Sequence, residues 1–358
     1  MKISIRLATL TTAGVLLLAG CGNSSGDISS PADTPVVLTV EDTDVSASQL
    51  AWQMEEGRQQ MEGEYNSLMG QLEDALSAET PTINAMWRDK KLRGVLREYG
   101  ANQILKDFAR KKLIEKNQLT LTSEEEKAVQ DVIDYGISYA GSEKNFIAGL
   151  AQHGKTEDSF QQEQEATYYD KKIQALYYGK DGLDAPKDSE ITDYYHKHYY
   201  HFVAISLPFT KDKEMSSRDK ALLKRKADSL REQLAGDHTD AIPASLKTGQ
   251  TYQSYTVDNT TDLNSLWLST VAKLKENETS EILSDDDGYY ILRRFPLEDT
   301  LLTAENYSTD GTDLLWNEIS YKLHSVDDLL TAESENLDVQ KHPAYYTIKN
   351  TNYQKYLV

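Results

Sequence analysis

A single cysteine constrains this chain more than any other feature of its sequence. Among 358 residues only Cys21 carries a thiol, so neither an intramolecular disulfide nor a cysteine-rich metal site can hold a fold together. The hydrophobic fraction of 39% is sufficient for a buried core. A chain of this length is expected to form about two domains, and their stability has to come from side-chain packing.

The surroundings of Cys21 predict that this cysteine is modified rather than buried. Two cations precede a short apolar run that ends in Leu18-Ala19-Gly20-Cys21, which is the layout of a secretory signal peptide. Its end resembles the bacterial lipobox, in which the cysteine is lipidated and becomes the first residue of the mature protein. Residues 1–20 are therefore predicted to be a lipoprotein signal peptide, and residues 21–35 a flexible tether.

The charge and the motifs of the chain exclude several classes of function. Lys and Arg number 38 against 58 Asp and Glu, a formal net charge of -20, and removal of residues 1–20 takes away two more cations. Nucleic-acid binding needs clustered cations, so no nucleic acid partner is expected. Neither a nucleophile elbow nor a glycine-rich phosphate loop occurs, and no cofactor is predicted.

Two groups of candidate metal ligands have simpler explanations. His196, His198 and His201 lie close together in the sequence, but on a helix only His198 and His201 share a face. The run Asp285-Asp286-Asp287-Gly288 lacks the alternating ligands and the distal Glu of a calcium loop. It predicts an acidic hairpin turn between two short strands over residues 281–283 and 289–292. No metal is therefore expected.

Hydrophobic periodicity predicts that the first part of the chain is mostly helical. Val36–Val40 is a β-rich run, and Ser46–Gln49 fits a capping box that begins a helix. A later helix is predicted to begin at a second capping box, Ser123–Glu126, with Val129, Val132, Ile133 and Ile137 as its apolar residues. Further helices follow from the same periodicity over residues 92–113, 146–150 and 156–178.

The pattern changes near residue 201. A strand over 202–207, a helix over 216–234, a short helical piece over 266–274 and the two later strands predict a small α+β domain. A last helix through Leu314–Leu323 is expected to pack back on the N-terminal helices, because a lone amphipathic helix needs a partner. The Tyr-rich tail from Pro343 is expected to be a strand.

Taken in order, these segments resemble the PrsA-type foldase lipoproteins and the related SurA-type chaperones. The matching segments are Val36–Leu50, Phe146–Phe160, Glu190–Phe202 and Leu266–Ile291. The resemblance implies an α+β fold in which a mostly helical chaperone domain is discontinuous and carries an inserted parvulin-like domain. The implied boundaries are 36–196 for the helical domain, 197–296 for the insert, and 297–358 for a C-terminal helix and tail that return to the helical domain.

Two positions depart from the parvulin pattern. Prolyl isomerases of this type carry one histidine in the first strand and one in the last strand, where this chain has Ala204 and Tyr290. Isomerisation crosses a barrier of ~18–20 kcal/mol, and the enzyme must hold the twisted amide in a shaped pocket. Because Ala204 offers no side-chain hydrogen bond, the resemblance implies a degenerate domain with little or no isomerase activity. No catalytic residue is predicted.

The resemblance implies a membrane-anchored, extracytoplasmic chaperone that binds unfolded or newly secreted proteins without covalent chemistry, in a cleft between its two domains. Lipidated Cys21 would hold it on the outer face of the plasma membrane, since two acyl chains bind a bilayer stably. A second copy of the chain is a further candidate partner. The candidate client-binding residues are aromatic and methionine side chains, which suit promiscuous surfaces, namely Trp52, Met54, Met61, Trp87 and Tyr289.

Two alternatives stay open. The first is an active peptidyl-prolyl cis-trans isomerase that works without the two histidines, and it requires a small apolar pocket that fits one proline ring. The second is a lipid-anchored scaffold for one specific partner, and it requires one defined apolar patch. A chaperone is expected to show a broad apolar surface instead.

Overall fold

The computed structural model describes residues 34–72, 87–89, 92, 94–152, 155–209, 216–235, 252–305, 308, 312 and 314–357. The predicted α+β class is confirmed, because helices dominate and two small antiparallel sheets accompany them. The predicted signal peptide and most of the predicted tether, Cys21 included, lie outside the described residues. Within those residues, no helix is both long and apolar enough to cross a bilayer.

The chain divides into two compact units, Met1–Lys172 with Asp327–Val358, and Ile173–Val326. Two short 3-10 helices, Asp299–Thr303 and Tyr353–Tyr356, accompany the regular elements. In chain order, the strands and α-helices are β1 (Val36–Val40), β2 (Thr43–Ser46), α1 (Ala47–Leu72), α2 (Val95–Asn117), α3 (Ser123–Ala140), α4 (Glu143–Gln152), α5 (Glu157–Tyr178), α6 (Asp188–His198), β3 (Tyr199–Pro208), α7 (Ser217–Ala235), β4 (Tyr252–Asp258), α8 (Ser265–Val271), β5 (Leu283–Ser284), β6 (Gly288–Phe295), α9 (Leu315–Leu323), α10 (Val326–Ser334), β7 (Val339–Lys341) and α11 (Pro343–Thr347).

The first unit opens on a hairpin that leads directly into α1. Strands β2, β1 and β7 form one sheet in that order, with antiparallel pairing throughout. The capping box predicted at Ser46 is confirmed. The backbone N–H of Gln49 donates to Ser46 Oγ over 3.2 Å, and the Ser46 N–H donates to Gln49 Oε1 over 2.8 Å. These bonds satisfy donors that would otherwise be unpaired at the helix start.

The core of the first unit is built from both ends of the chain. Leu38 and Leu50 from the beginning pack with Tyr345 and Tyr353 from the end, and all four are fully buried. The C-terminal tail is therefore an integral part of this unit. The prediction of a strand from Pro343 onward is wrong, since Pro343 is the first residue of α11. Proline at that position loses no helical hydrogen bond.

A small hairpin of α3 and α4 has its own cluster. Phe146 packs on Val129 and Ile133, and a Cβ at Gly136 would lie 2.7 Å from the Phe146 ring, so glycine permits this close approach. Helix α3 begins at Ser123, but the N-cap predicted at Ser123 is wrong by one residue. Thr122 is the N-cap, since its Oγ1 accepts from the Glu125 N–H at 3.2 Å and its N–H donates to Glu125 Oε2 at 2.7 Å.

The second unit contains a four-stranded antiparallel sheet in the order β4-β3-β6-β5. Side chains alternate between its two faces. Val203 and Ile205 pack with Ala227 and Leu234 of α7 on one face, and α8 lies on the other. The predicted strand over 281–283 is shorter and later than expected, since β5 comprises Leu283–Ser284 alone.

Helix α9 lies in the second unit and packs on α6, a helix within the 36–196 range to which α9 was expected to return. Its Trp316 and Ile319 pack on Ile191 and Tyr195, which both belong to α6. The Trp316 indole N–H donates to Asp188 Oδ1 over 2.8 Å. Because α6 offers both an apolar face and a polar partner, α9 finds its packing partner within its own unit. The observed division at residues 172 and 326 accordingly differs from the implied boundaries at 196 and 296.

Candidate functional site

The two positions where the parvulin pattern has histidines lie on one face of the second unit's sheet. Strands β3 and β6 pair with Ala204 opposite Leu292 and Ser206 opposite Tyr290. Ala204 and Tyr290 are therefore diagonal neighbours on the same face. The structure brings together the two residues that the sequence singles out, and it places both in one buried cluster.

Aromatic side chains fill this face. The Trp267 ring of α8 meets the Tyr290 ring edge to face, with centroids 5.2 Å apart, and lies 5.8 Å from the Tyr255 ring. Phe202 stacks on Tyr255 at 5.2 Å. Ala204, Trp267 and Tyr290 are all buried. The small side chain at Ala204 and the large ones around it form a packed core on this face of the sheet.

The Tyr290 hydroxyl is hydrogen-bonded to the acidic turn that precedes it in the chain. It donates to Asp285 Oδ1 over 2.9 Å, and the same oxygen accepts the N–H groups of Asp287 at 2.8 Å and Gly288 at 3.1 Å. Burial alone would raise the pKa of Asp285, but these hydrogen bonds lower it. Burial and the bond to the Asp285 carboxylate raise the pKa of Tyr290 to about 12. The Tyr290 hydroxyl therefore stays protonated, and it stabilises the hairpin turn by donating a hydrogen bond to Asp285.

Four of the five predicted client-binding residues belong to the first unit, and Tyr289 belongs to the second. Met54 is 0% exposed and belongs to the core of the first unit, so its assignment as a contact residue is wrong. Met54 lies on the side of α1 that faces α2. The two helices are in close contact there, since a Cβ at Gly100 of α2 would lie only 3.1 Å from the Met54 backbone nitrogen. Met61 and Trp87 are half-buried against the same core, and the Trp87 indole N–H donates to Glu62 Oε1 over 3.0 Å.

Trp52 lines a groove of the first unit with a volume of about 270 Å³. Lys155 crosses it and binds Glu56 at 3.1 Å and Glu163 at 2.6 Å. Burial and the neighbouring Glu163 charge raise the pKa of Glu56, although Lys155 opposes them. Arg58 pairs with Glu55 and Glu62 on the same helix. The groove therefore has one aromatic side chain in its lining, Trp52, and the charged side chains beside it already form ion pairs with one another.

Tyr289 lies in the second unit, on the α7 side of the sheet, and is half-buried. Its ring meets Phe209 edge to face at 5.2 Å. It points away from Tyr290, because neighbouring strand residues face opposite sides. Trp52 and Tyr289 are thus separate features of the two units.

The histidines near the start of β3 each have a different neighbour. His196 hydrogen-bonds to Asp299 at 2.7 Å, the His198 ring lies 4.3 Å from the Tyr194 ring, and His201 Nδ1 lies 3.3 Å from the Pro296 carbonyl oxygen. Burial lowers the pKa of His201. In the ranges that the structure describes, no three potential metal ligands converge.

Sequence reasoning missed an exposed apolar face on α3. Val132, Tyr135 and Tyr139 are 43%, 61% and 54% exposed, and the two tyrosine rings lie 6.5 Å apart. Their spacing of three and four residues puts them on one side of the helix. Periodicity grouped Val132 with Val129 and Ile133 as apolar residues of one helix, but of these three only Val129 and Ile133 are buried. The signal was present in the sequence as two single tyrosines on an otherwise acidic helix.

Comparisons with known proteins give structural neighbours only. No family model matches the chain, and a search of curated proteins finds no match. Among solved structures, the chain is similar to the foldase protein PrsA from Streptococcus pneumoniae, with 14% identity, a TM-score of 0.32, and coverage of 79% of this chain and 98% of that one. It is also similar to PrsA from Bacillus subtilis, with 13% identity, a TM-score of 0.26, and coverage of 68% and 82%.

A third similar structure comes from Campylobacter jejuni, whose PEB4 and Cj1289 are described as structurally related SurA-like chaperones. It shows 10% identity, a TM-score of 0.25, and coverage of 86% of this chain and 100% of that one. These neighbours are of the types that the sequence segments resemble. TM-scores at this level carry no argument about activity, so the functional assignment depends on the chain's own residues.

Proposed function

We propose that this protein is a foldase-type chaperone that works outside the cytoplasm, tethered to a membrane through Cys21, and holds unfolded polypeptide by non-covalent contacts. The observation that carries the proposal is the exposed face of α3 formed by Val132, Tyr135 and Tyr139. Apolar and aromatic side chains lined up on a solvent-facing helix contribute little to the stability of the fold. They are suited to transient contacts with other apolar chains.

The chemistry of the α3 face favours clients with low sequence specificity. Tyrosine presents an apolar ring and a polar hydroxyl, so it binds varied side chains at a small loss of conformational entropy. Asp131 and Asp134 are exposed on the same helix and favour segments that combine apolar and basic residues. The acidic chain as a whole would keep such complexes soluble.

The filled face of the second sheet favours binding over isomerisation. An isomerase pocket has to accept the proline ring and present hydrogen-bond donors to the twisted amide. Here Trp267 and Tyr290 occupy that face, and the Tyr290 hydroxyl already donates to Asp285. We therefore expect no acceleration of prolyl isomerisation.

A light-scattering assay tests the proposal. The chain from residue 22, which keeps all described residues, is expected to suppress the aggregation of a chemically unfolded model protein. The double variant Tyr135→Ser/Tyr139→Ser should lose most of this effect and keep its helical circular dichroism, since both rings are exposed. Tyr346→Ser removes an equally exposed tyrosine (60%) of the same unit and should behave like the unmodified chain.

Three outcomes would count against the proposal. Failure of the unmodified chain to suppress aggregation would remove the chaperone role. Equal loss in Tyr346→Ser would show that the α3 face has no special part. Tight binding of one secreted protein, with no effect on unrelated unfolded chains, would identify a scaffold for a specific partner instead.

A further inference from the structure

The outward side of α7 concentrates positive charge in an acidic chain. Ser217–Ala235 contains six Lys and Arg against three Asp and Glu, whereas the whole chain has a net charge of -20. Arg218, Arg225 and Lys226 are exposed, and no ion pair joins them to any residue in the described ranges. Because Ala227 and Leu234 bury the opposite side of the helix, these cations face solvent.

The unpaired cations are arranged around an exposed leucine. Arg218, Leu222 and Arg225 follow one another at spacings of four and three residues, so they form one line along the helix. Leu222 is 53% exposed and lies between the two arginines, with Lys226 beside it. These four residues are called the α7 stripe below.

The remaining cations of α7 lie outside the stripe and have neighbours of their own. Lys224 pairs with Asp228 at 3.2 Å, and Arg231 with Glu281 at 2.6 Å. The Lys220 ammonium lies 5.4 Å from the centre of the Phe209 ring. The stripe is therefore the part of the helix whose charges are available to an external anion.

We propose that the α7 stripe docks the second unit onto an anionic phospholipid surface. Its guanidinium and ammonium groups would contact lipid phosphates, and Leu222 would reach the boundary with the acyl chains. A basic helix face with an apolar side chain at its centre has the chemistry of an interfacial contact. Leucine exposed between two arginines would gain nothing from a purely polar anion, but it gains from leaving water at a lipid interface.

Charge complementarity also determines which side of the second unit faces the bilayer. An anionic bilayer repels the acidic remainder of the chain and attracts the stripe, so α7 is the side that would turn toward the lipid. Each Lys or Arg near such a surface strengthens binding by about fivefold, and three of them give roughly 100-fold. This affinity is modest by itself. The anchor predicted at Cys21 would make it effective by raising the local concentration, and the inference does not rest on the chaperone role.

Vesicle flotation with the chain from residue 22, which carries no lipid, tests the proposal. We expect binding to vesicles of phosphatidylcholine mixed with phosphatidylglycerol, little binding to phosphatidylcholine alone, and loss of binding at high salt. Arg218→Ala/Arg225→Ala should weaken binding about 30-fold. Leu222→Ser, which changes no charge, should also weaken it.

The matched control removes two exposed cations elsewhere. Lys111→Ala/Lys116→Ala changes the net charge by the same amount on α2 and should alter binding by less than about twofold. Equal loss in this control would overturn the proposal in favour of general electrostatic attraction. Absence of binding to the anionic vesicles would also overturn it, as would an α7 variant that binds like the unmodified chain. Suppression of aggregation should be unchanged in the α7 variants, so failure here is separable from failure of the chaperone proposal.

Discussion

Replacement of Lys322 by methionine should strongly destabilise the second unit. The Lys322 ammonium binds Asp258 Oδ2 and Glu318 Oε1, both at 2.8 Å, and donates to the Tyr199 hydroxyl at 3.0 Å. The side chains of Asp258 and Glu318 are 1% and 0% exposed. Methionine keeps the length of the side chain and removes the ammonium that binds both buried carboxylates, so Asp258 and Glu318 would lose the cation that they share.

The size of the effect follows from the contacts. Removing one partner from a buried ion pair costs about 3–5 kcal/mol of stability. We expect about 3 kcal/mol, because Lys322 itself is 30% exposed and Asp258 keeps hydrogen bonds from Thr260 and Thr261. For a unit of this size, that corresponds to a fall in Tm of roughly 6–12 °C.

The loss should depend on pH with a defined sign. In the unmodified chain, burial would raise the pKa of Asp258, but the bonds from Lys322 and Thr260 lower it below its usual value. That group contributes stability above its unfolded pKa of about 3.9, and the contribution is lost as the pH falls through the lowered folded pKa. Without Lys322, the largest of the contacts that lower the pKa of Asp258 is lost, and burial of this carboxyl is opposed less. The variant's deficit should therefore be largest near neutral pH and shrink as the solution is acidified.

Urea unfolding followed by fluorescence at neutral and mildly acidic pH measures this deficit. Lys127→Met is the matched control, because Lys127 is 72% exposed in its pair with Asp131 and such exposed pairs contribute little to stability. Adding Glu318→Gln to Lys322→Met should restore part of the stability by removing one buried charge. A Lys322→Met variant within about 1 kcal/mol of the unmodified chain at neutral pH would refute the reasoning.

Three further changes test the local assignments by denaturant unfolding. Thr122→Ala should lower the stability by about 1 kcal/mol by removing the N-cap of α3, whereas Ser123→Ala should be nearly neutral. The reverse order would identify Ser123 as the N-cap. Tyr290→Phe should cost about 1 kcal/mol through the lost hydrogen bond to Asp285, and no change would show that this bond is not formed. Met54→Ala should cost about 2–5 kcal/mol as a core truncation, and a mild effect would reopen its role at the surface.

Local signals in the sequence predicted the parts of the fold that local interactions determine. The capping box at Ser46 and Gln49 depends on residues three apart, so the pattern alone identifies it. The strand around Ala204 and the strand around Tyr290 were both predictable from β-rich runs. Their placement on one face follows from the register between the strands, which the structure shows and which neither composition nor periodicity determines.

Long-range packing accounts for most of the errors. Helix α9 has an amphipathic pattern that fits any apolar partner, and only the structure shows that Trp316 meets Asp188. The filling of the sheet face depends on Trp267 reaching Tyr290 from α8. Val132 and Val129 are both apolar and three residues apart on α3, so periodicity could not tell which of them is buried.

Refolding of a model protein limited by proline isomerisation tests the central claim most directly. X-Pro isomerisation gives a slow phase of tens to hundreds of seconds, and the chain from residue 22 is added at catalytic and at equimolar concentration. The account predicts a higher refolded yield at equimolar concentration with an unchanged slow phase, because the protein binds unfolded chains and its Ala204–Tyr290 face is filled. A slow phase that accelerates at catalytic concentration would contradict it and identify an active prolyl isomerase.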